Sequence, residues 1–442
     1  MTRPNVLVIL CDDLGYGDLG SYGAEYETTN LDRLAEEGVC FTDWHSNAPV
    51  CSPTRASLLT GRYPHAVGMP SNAPQGRPET DTEVGLDPEV ATVADLLGDA
   101  GYRTAHVGKW HLGSGEMNAP RAHDFDESFG FRSGCVDYYS HTMMWLQGAG
   151  VPPYHDLWED GEEVWRNGEY LTHLITDRTV EFVEEAAGAD EPFFGYVAYN
   201  APHYPMHAPE EYFEQVAHLD DPERRRQAAM IAAVDDGIGK ILDALERTGA
   251  DEETLVIFSS DHGPSREVRN HLDSSREPYE GGHTGVFRGE KFSLFEGGIR
   301  VPGIVRYPDR IDGGRRCDEL ACTMDVLPTV LEYCGLTVPE AVDGHSLRRV
   351  LEEDAETPHD RVFWEAGGQL AVREGDWKLL IDPREVDHEE EDASQAPVGS
   401  SPFLANLADD PGETTNRAED RPELRTALEA AVRHWEETVV DS

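Results

Sequence analysis

The sequence is poor in lysine and in positive charge as a whole. Asp and Glu together number 86 against 36 Lys and Arg, which gives a formal net charge of −50. Lysine occurs at only four of the 442 positions: Lys109, Lys240, Lys291 and Lys378. Such a chain repels polyanions, so we expect neither nucleic acid nor an anionic membrane as a partner. Because counterions screen self-repulsion, we hypothesise that the protein comes from a high-salt organism.

Long hydrophobic runs are absent as well. No run approaches the roughly 20 apolar residues that a membrane-spanning helix requires. The N-terminal MTRPNVLVILCDDLG holds one arginine and a short apolar block, but acidic residues follow at once and no small-residue cleavage site is present. We therefore interpret residues 5–11 as a buried strand, and we expect a cytoplasmic protein without a signal peptide.

Cysteine is also scarce, with seven residues at irregular spacing. An odd number of cysteines in a chain of this length argues against a disulfide framework. Cys317 and Cys322 are the two that lie closest in sequence, and we expect them to be buried free thiols.

Short apolar runs alternate with amphipathic helical segments along most of the chain. This alternation predicts an α/β fold with a large, mostly parallel sheet sandwiched by helices. The predicted strands are Val6–Leu10, Thr104–Val107, Phe193–Tyr199, Leu255–Ser259 and Gly303–Arg306. The clearest predicted helices are Thr92–Ala100 and Glu223–Arg247, whose apolar residues recur at helical spacing.

The pattern changes near Gly344, where we place a boundary between domain 1–345 and a small C-terminal domain 346–442. The second domain is predicted to contain short antiparallel strands and one terminal helix: Val362–Glu365, Leu370–Arg373, Trp377–Ile381 and Glu423–Glu437. Residues 383–402 are acidic and polar, so they are predicted to form a mobile surface loop.

Carboxylates directly follow two of the predicted strands. Asp12 and Asp13 end the apolar block VLVILCDD, and Asp261 with His262 ends LVIFSSDH. In an open α/β sheet, ligands bind beyond the carboxyl ends of the strands. Three carboxylates gathered there need a cation, and oxygen-rich ligation favours Ca²⁺ or Mg²⁺. The alternative is that Asp13 and Asp261 merely cap a turn and a helix.

The stretch VCSPTRASLLTGR, residues 50–62, has the features of a helix start. Ser52 followed by Pro53 predicts an N-cap and a first turn, which places Cys51 just before the helix N-terminus. Unpaired N–H groups and the helix dipole favour an anion there, and Arg55 adds positive charge. We therefore expect a lowered pKa for the Cys51 thiol and a docking place for a tetrahedral oxyanion.

Six segments together carry a family resemblance that spans nearly the whole chain in order. They are CDDLGYGDLGSYG, CSPTRASLLTGR, GYRTAHVGKWHLG, YNAPHYPMHAP, SSDHG and RGEKFSLFEGGIRVPGIVRYP. With the C-terminal LAVREGDWKLL and LANLADDPGETTN, they resemble the type I, arylsulfatase-like sulfatases of the alkaline phosphatase superfamily. The resemblance implies an alkaline phosphatase-like fold and a sulfuric ester hydrolase.

The resemblance also implies that Cys51 is oxidised to formylglycine by a converting enzyme during maturation. The hydrated aldehyde would offer one hydroxyl to attack the sulfur of a sulfate ester, and the second would let the hemiacetal expel sulfate. An unmodified thiol lacks that second hydroxyl and would be trapped as a covalent adduct.

By resemblance, one divalent cation, Ca²⁺ or alternatively Mg²⁺, is held by the residue derived from Cys51 and by four further residues: Asp12, Asp13, Asp261 and His262. His262 departs from the asparagine that many relatives carry, and imidazole is a poorer Ca²⁺ ligand than an amide oxygen, so the identity of the metal stays open.

The resemblance assigns catalytic roles to further side chains. Arg55 and Lys109 would hold the modified residue, and His111 would assist the collapse of the hemiacetal. His203 and Lys291 would contact the sulfate and protonate the leaving group. Two of the four lysines thus fall on motif positions, which indicates a need for a compact ammonium.

The substrate and two competing functions stay open at this stage. The segment from Cys135 to Gly148 offers Tyr138, His141 and Trp145 as contacts for a ring, or as plain aromatic packing. An aryl sulfate and a sulfated sugar both fit the chemistry. The alternatives are a phosphonate monoester or phosphodiester hydrolase of the same superfamily, and a non-catalytic anion-binding protein in which Cys51 stays unmodified.

Overall fold

A computed structural model describes residues 3–74, 84–144, 152–189, 191–271, 275, 277–386 and 395–440. The strands are β1 Asn5–Asp12, β2 Val39–Phe41, β3 Trp44–His45, β4 Arg103–Lys109, β5 Glu127–Phe131, β6 Thr142–Met143, β7 Tyr154–His155, β8 Trp158–Glu159, β9 Glu162–Glu163, β10 Phe193–Pro202, β11 Thr254–Ser260, β12 Gly303–Arg306, β13 Arg315–Cys317, β14 Ala321–Cys322, β15 Val362–Ala366, β16 Gln369–Glu374, β17 Trp377–Ile381, β18 Arg384–Val386, β19 Gln395–Pro397 and β20 Phe403–Asn406. The α-helices are α1 Thr29–Glu37, α2 Cys51–Thr60, α3 Val93–Asp99, α4 Leu171–Ala189, α5 Glu210–Gln215, α6 Pro222–Thr248, α7 Glu296–Ile299, α8 Val326–Tyr333, α9 Arg348–Glu353 and α10 Pro422–Trp435.

Ten strands form one mixed sheet in the order β13-β2-β12-β11-β1-β10-β4-β5-β8-β9. Its centre, β11-β1-β10-β4-β5, is entirely parallel. These strands read as continuous apolar runs because each has both faces covered: one core cluster contains α4 and α6, and the other contains α2, α3 and α8. The predicted large sheet between helices is confirmed. The strand Gly303–Arg306 forms where predicted, but it lies antiparallel to β11.

A four-stranded antiparallel sheet, β15-β16-β17-β20, forms the C-terminal layer with α10 packed on it. Its core also contains Leu294, Phe295 and Ile299 from the larger part of the chain. A buried charge network reinforces this contact, because Lys378 on β17 lies 2.8 Å from Glu296 and 3.2 Å from Glu413. The two layers therefore share one interior. The proposed division at residue 345 stays a prediction.

Two sequence-based expectations have simple structural outcomes. The described ends of segment 383–402 pair as the antiparallel strands β18 and β19, so they are strand rather than loop. Cys317 and Cys322 are free and buried, as expected, and the other five cysteines are free and buried as well. Within the described residues, the structure contains no helix with the length and the hydrophobicity that crossing a membrane requires.

Candidate active site

The carboxyl ends of β1 and β11 bring the two acidic segments to one edge of the sheet. β1 ends at Asp12, and β11 ends one residue before Asp261. The strands are parallel neighbours in which Cys11 pairs with Ser260, so the residues after both strands emerge side by side. The N–H of Asp13 donates to Oδ1 of Asp261 at 3.3 Å. The predicted convergence of these carboxylates is thus present.

Helix α2 places Cys51 against this acidic group. Its Sγ lies 3.5 Å from Oδ1 of Asp12 and 3.3 Å from Nε2 of His262. Every residue of α2 is buried, which is unusual for a helix that carries serine, threonine and arginine. The sulfur therefore lies inside the molecule and at the centre of the charged cluster.

The start of α2 differs from the prediction by one residue. Val50 is the N-cap and Cys51 is the first helical residue, so the prediction of Ser52 as the cap is wrong. The Ser52 hydroxyl instead donates to the carbonyl oxygen of His111 at 2.6 Å. Pro53 sits in the first turn, where its missing N–H costs nothing. This hydrogen bond ties α2 to the loop after β4, which carries His111.

Arg55 and Lys109 contact carboxylates rather than the Cys51 sulfur. Both Nε and Nη2 of Arg55 donate to Oδ2 of Asp261, at 3.2 and 2.9 Å, and its Nη1 donates to the carbonyl oxygen of Lys109. Nζ of Lys109 donates to Oδ2 of Asp12. Both basic side chains are fully buried. They therefore orient the acidic residues around Cys51, and the contact with the modified Cys51 side chain stays a prediction.

His203 and Lys291 are two basic residues that approach the Asp13 carboxylate. Nζ of Lys291 lies 2.9 Å from Oδ1 of Asp13 and 3.3 Å from Oε2 of Glu267. Nε2 of His203 lies 3.8 Å from Oδ2 of Asp13, while its Nδ1 lies 2.9 Å from the carbonyl oxygen of Tyr204. That carbonyl accepts a hydrogen bond from Nδ1–H, which leaves the unprotonated Nε2 of the neutral ring facing Asp13.

His111 is buried, and neither ring nitrogen has a hydrogen-bond partner among the described residues. Its backbone has a φ of 56°, in the left-handed region that non-glycine residues seldom adopt. A strained, unpartnered imidazole beside Cys51 and Lys109 is typical of a functional position.

The electrostatics separate the basic groups into charged and neutral ones. Burial opposes the charge on Lys291, but Asp13 and Glu267 raise the pKa of its ammonium well above the usual range. Burial likewise opposes the charge on Lys109, and Asp12 raises its pKa. Burial lowers the pKa of His111 well below its usual value, and the neighbouring Lys109 lowers it further. The site thus contains protonated lysines next to a neutral imidazole.

The expected lowering of the Cys51 pKa is wrong. Burial raises the pKa of the thiol well above its usual range, and the Asp12 carboxylate raises it further. These two effects outweigh the helix N-terminus because the sulfur is removed from water and lies next to a negative charge. As a thiol, Cys51 is a poor nucleophile in this site.

The arrangement fits a divalent cation. Single ligand atoms of Asp12, Cys51, Asp261 and His262 all lie within 4.8 Å of one another, and all four residues are buried. Oδ2 of Asp13 has no hydrogen-bond partner among the described residues. Burial lowers the pKa of His262, so its ring is neutral and able to ligate. Three or more carboxylate oxygens with one imidazole favour a hard ion.

The aromatic residues proposed for the substrate pocket behave differently. Tyr138 is fully buried, and its hydroxyl hydrogen-bonds to the carbonyl oxygens of Asn200 and His203 at 3.0 and 2.9 Å. It therefore supports the His203 loop instead of facing a ligand. His141 is also buried, with Nε2 3.2 Å from the carbonyl oxygen of Glu169. Trp145 lies outside the described residues.

Comparison with known proteins decides the family. The family model described as Sulfatase matches residues 4–336. The chain belongs to the sulfatase family. Among curated proteins, this sulfatase is 33% identical to mouse (Mus musculus) arylsulfatase J over 405 residues, which cover 86% of this chain and 64% of that protein. The chain thus spans less than two thirds of that relative's length.

Other relatives are matched over more of their length. Human arylsulfatase A is 32% identical over 448 residues, which cover 93% of this chain and 83% of that protein. Dog (Canis lupus familiaris) N-acetylgalactosamine-6-sulfatase is 34% identical over 388 residues, which cover 85% of this chain and 71% of that protein.

Solved structures agree with the fold. The crystal structure of Ps i-CgsB in complex with k-i-k-neocarrahexaose superposes with a TM-score of 0.84 at 29% identity, covering 98% of this chain and 93% of that chain. PsFucS1 sulfatase from Pseudoalteromonas sp. superposes with a TM-score of 0.81 at 25% identity, covering 99% of this sulfatase and 90% of that chain.

Sequence reasoning missed one residue of this sulfatase that contacts a proposed catalytic group. Glu267 is buried, lies beside Lys291, and is fixed by the Ser265 hydroxyl at 3.0 Å. It follows Asp261 by six residues in an irregular loop, so no periodic pattern marks it. The only available signal was a carboxylate close in sequence to SSDHG, which is weak in a chain with 86 acidic residues.

Proposed function

We propose that this sulfatase hydrolyses a sulfate ester to an alcohol and inorganic sulfate, with an oxygen nucleophile derived from Cys51. The carrying observation is the position of Cys51 Sγ, 3.5 Å from Asp12 and 3.3 Å from His262, at the start of a wholly buried helix. Its high pKa as a thiol supports conversion to formylglycine, whose hydrate carries an oxygen nucleophile in place of sulfur.

The charge balance supports an anionic substrate. Four buried carboxylates, Asp12, Asp13, Asp261 and Glu267, face three buried positive side chains: Arg55, Lys109 and Lys291. A divalent cation held by three of the carboxylates and His262 would leave the centre with a net charge of about +1, which favours a sulfate group. When bound, the cation supplies Lewis acidity and charge stabilisation; we propose Ca²⁺, with Mg²⁺ as the alternative.

The surrounding side chains have distinct parts in the reaction. Arg55 and Lys109 orient the ligating carboxylates of Asp261 and Asp12 through direct hydrogen bonds. Protonated Lys291 is placed to bind a sulfate oxygen, and His203 lies on the same side of Asp13, near the departing alcohol. We assign delivery of the leaving-group proton to Lys291, the protonated member of this pair, and contact with the substrate to His203. The neutral, unpartnered His111 is placed to accept the proton that is lost when sulfate is released.

We propose a sulfated saccharide as the substrate class. The dog relative is named as a sulfatase of N-acetylgalactosamine, and one structural neighbour is in complex with k-i-k-neocarrahexaose. The reacting groups are nearly closed off, with His203 only 5% and Lys291 only 3% exposed, so one projecting sulfate group reaches them more readily than a bulky chain. The net charge of −50 also disfavours long polyanions at low salt.

Mass spectrometry of the peptide that contains Cys51, from protein made in its native source, is the primary test. We expect the formylglycine mass, together with release of inorganic sulfate from aryl and sugar sulfates that Cys51→Ala abolishes. Faster turnover of phosphonate monoesters than of sulfate esters would favour the related hydrolase instead. An intact thiol in active protein would refute the proposed nucleophile.

A further inference from the structure

The buried arginines reveal a second charged position outside the active site. Five arginines are buried among the described residues: Arg55, Arg132, Arg224, Arg306 and Arg373. Four of them have a carboxylate within 4.0 Å: Arg55 pairs with Asp261, Arg224 with Asp18, Arg306 with Glu37 and Arg373 with Asp43. In the part of the chain that the structure describes, Arg132 alone among them has none. A buried guanidinium without a counter-charge is costly, and acidic residues are abundant in this chain.

Arg132 is held in place by neutral contacts. It follows β5 directly, and its guanidinium carbon lies 4.3 Å from the ring centre of Trp158. Nη1 donates to the carbonyl oxygen of Ser114 at 3.3 Å, which is a long hydrogen bond. No other side-chain hydrogen bond of Arg132 occurs among the described residues, so most of its five N–H donors have no protein acceptor. The side chain is fixed, and its remaining N–H donors are open to solvent rather than enclosed by protein.

The nearest carboxylates are engaged elsewhere. Asp156 accepts hydrogen bonds from the N–H groups of Arg132 and Ser133 and from Nε1 of Trp158. Glu116 is exposed to solvent. Both raise the pKa of Arg132, yet burial is the larger influence and the net pKa is lowered. Among the described residues, no carboxylate therefore pairs directly with the Arg132 guanidinium.

Arg132 and Trp158 line a cavity of ≈ 150 Å³ beside β5. Its wall also includes His106, Ser128 and Arg121. His106 is buried, and neither of its ring nitrogens has a partner among the described residues. This volume is large enough for one tetrahedral oxyanion together with water.

We propose that this cavity binds a small oxyanion, such as inorganic sulfate, against Arg132. The guanidinium edge offers paired N–H donors that match two oxygens of such an ion, while Trp158 covers its face. His106 and Ser128 also line the cavity, although the His106 ring packs against Trp110 and Tyr196 and its nitrogens are closed off from solvent. Exposed Arg121 lines the same cavity and lies 3.7 Å from Asp160. This site does not depend on the proposed hydrolysis.

The cavity is also linked to the proposed active site through the backbone. The carbonyl oxygen of Arg132 accepts the N–H of His111 at 3.2 Å. An ion that fixes Arg132 would thereby fix the segment that carries the unpartnered His111 ring. The oxyanion could be a free ion or a second anionic group on a saccharide, and the chemistry at Arg132 is the same for both.

Crystals of the full-length protein soaked in about 0.1 M sodium selenate provide the direct test, since selenium scatters anomalously. We expect a selenium peak in the cavity, with oxygens within hydrogen-bond distance of the Arg132 guanidinium. Cys51→Ser should retain this peak, Arg132→Gln should lose it, and Arg132→Lys should retain it at lower occupancy. The last variant keeps the charge, so it remains informative if Arg132→Gln does not fold.

Thermal unfolding supplies the solution measurement. Sodium sulfate should raise the Tm of the wild type and of Cys51→Ser more than sodium chloride does at the same ionic strength, and Arg132→Gln should lose this difference. Steady-state kinetics of Arg132→Gln with a disulfated saccharide and with its monosulfated analogue separate the two sources of the anion. A rise of about tenfold in KM for the disulfated saccharide alone would identify the anion as part of a substrate. Water alone in the cavity, or selenate density without any sulfate-specific rise in Tm, would overturn the proposal.

Discussion

Lys291 is held in one orientation by two buried carboxylates. Its ammonium lies between Asp13, which belongs to the proposed metal site, and Glu267, which does not. Glu267 is fixed in turn by the Ser265 hydroxyl. A lysine held by two buried carboxylates has one orientation and a secure charge. Glu267 therefore acts as a positioning residue for Lys291.

Removing the charge of Glu267 is expected to impair turnover more than binding. Glu267→Gln keeps the shape but frees Lys291 to turn toward Asp13, so we expect kcat to fall about ten- to a hundredfold with KM little changed. The loss should be larger for substrates with poorer leaving groups. Steady-state kinetics on aryl sulfates of graded leaving-group pKa measure this. Glu280→Gln, at an exposed position of the same loop, is the control; an equal loss in both variants would contradict the assignment.

Asp261 links the proposed metal site to Arg55. Asp261→Asn removes a ligand charge and leaves the buried Arg55 without its closest carboxylate. We expect loss of the bound divalent cation and of activity, and a fall of about 3 kcal/mol in the free energy of unfolding. Elemental analysis of protein purified without chelator measures the metal. Asp251→Asn, which removes a carboxylate that pairs with Arg306 elsewhere, should keep it; full metal content in both variants would refute the ligand assignment.

Individual residues show how far sequence reasoning reaches. Asp12 and Asp261 were predicted to converge because both directly follow apolar runs that pair as parallel strands. The environment of Cys51 was not predictable, since its raised pKa depends on burial and on Asp12, which is 39 positions away. Arg132 carried no sequence signal, because the absence of a partner is visible only in three dimensions.

Two glycines show how closely the elements of the sheet approach one another. A Cβ on Gly108 of β4 would lie 2.0 Å from the carbonyl oxygen of Ala198 on β10, and one on Gly130 of β5 would lie 1.9 Å from that of Gly108. Both have positive φ, 119° and 145°. The backbones of β4, β5 and β10 are therefore in direct contact at these glycines, next to Lys109 at the end of β4. The position of Lys109 therefore depends on that close approach.

A methyl group at Gly108 should disrupt this packing. We expect Gly108→Ala to lower the free energy of unfolding by about 3 kcal/mol or more, because the added carbon overlaps backbone atoms that cannot move aside. The control is Gly188→Ala in α4, where a Cβ meets nothing within 4 Å. That change should stabilise the protein by up to about 1 kcal/mol. Urea unfolding of both variants measures the difference; a Gly108→Ala variant of wild-type stability would contradict the model of packing.

At the level of elements, the sequence predicted the type and place of most segments and the structure supplied their arrangement. Val362–Glu365 and Trp377–Ile381 appear as β15 and β17 because alternating or continuous apolar residues mark strands directly. The reversed direction of β12 was not predictable, since its apolar pattern is the same in either orientation. Strand order depends on contacts such as that of Ile304 with Cys40, which are remote in sequence.

Glu413 makes the contact between the C-terminal sheet and the larger layer sensitive to pH. Burial raises its pKa to about 7 from the ordinary 4.5, despite the nearby Lys378. Between these values the unfolded chain has lost a proton that the folded chain still binds, so the free energy of unfolding falls as pH rises.

Glu413→Gln should flatten this part of the pH dependence. We expect the variant to gain roughly 1–3 kcal/mol relative to the wild type at pH above 7, and little below pH 4.5. Denaturant unfolding at a series of pH values gives the slope. The control is Glu419→Gln, at an exposed position nearby, which should leave the slope unchanged. An unchanged slope in Glu413→Gln would mean that the Glu413 carboxyl is ionised throughout and would contradict the prediction.

Over the whole molecule, the net charge of −50 is the dominant property. Like charges destabilise the compact state, and salt screens them over about 10 Å at 0.1 M. We expect the Tm to rise by about 5 °C or more between dilute buffer and 1 M potassium chloride. Calorimetry measures this, with human arylsulfatase A as a family comparison. Full stability in dilute buffer would refute the high-salt hypothesis.

The complete burial of α2 bears on when the proposed modification of Cys51 takes place relative to folding. A modifying enzyme needs the backbone on both sides of Cys51 within its own cleft, but the folded chain encloses every residue from Cys51 to Thr60. If Cys51 is converted as proposed, the oxidation would have to precede closure of the core. Asp261, which follows β11, is synthesised about 200 residues later than α2, which gives ribosomal elongation at 5–20 residues per second roughly 10–40 s for that reaction. We therefore expect translation speed, rather than the affinity of the finished site, to govern what fraction of molecules becomes active.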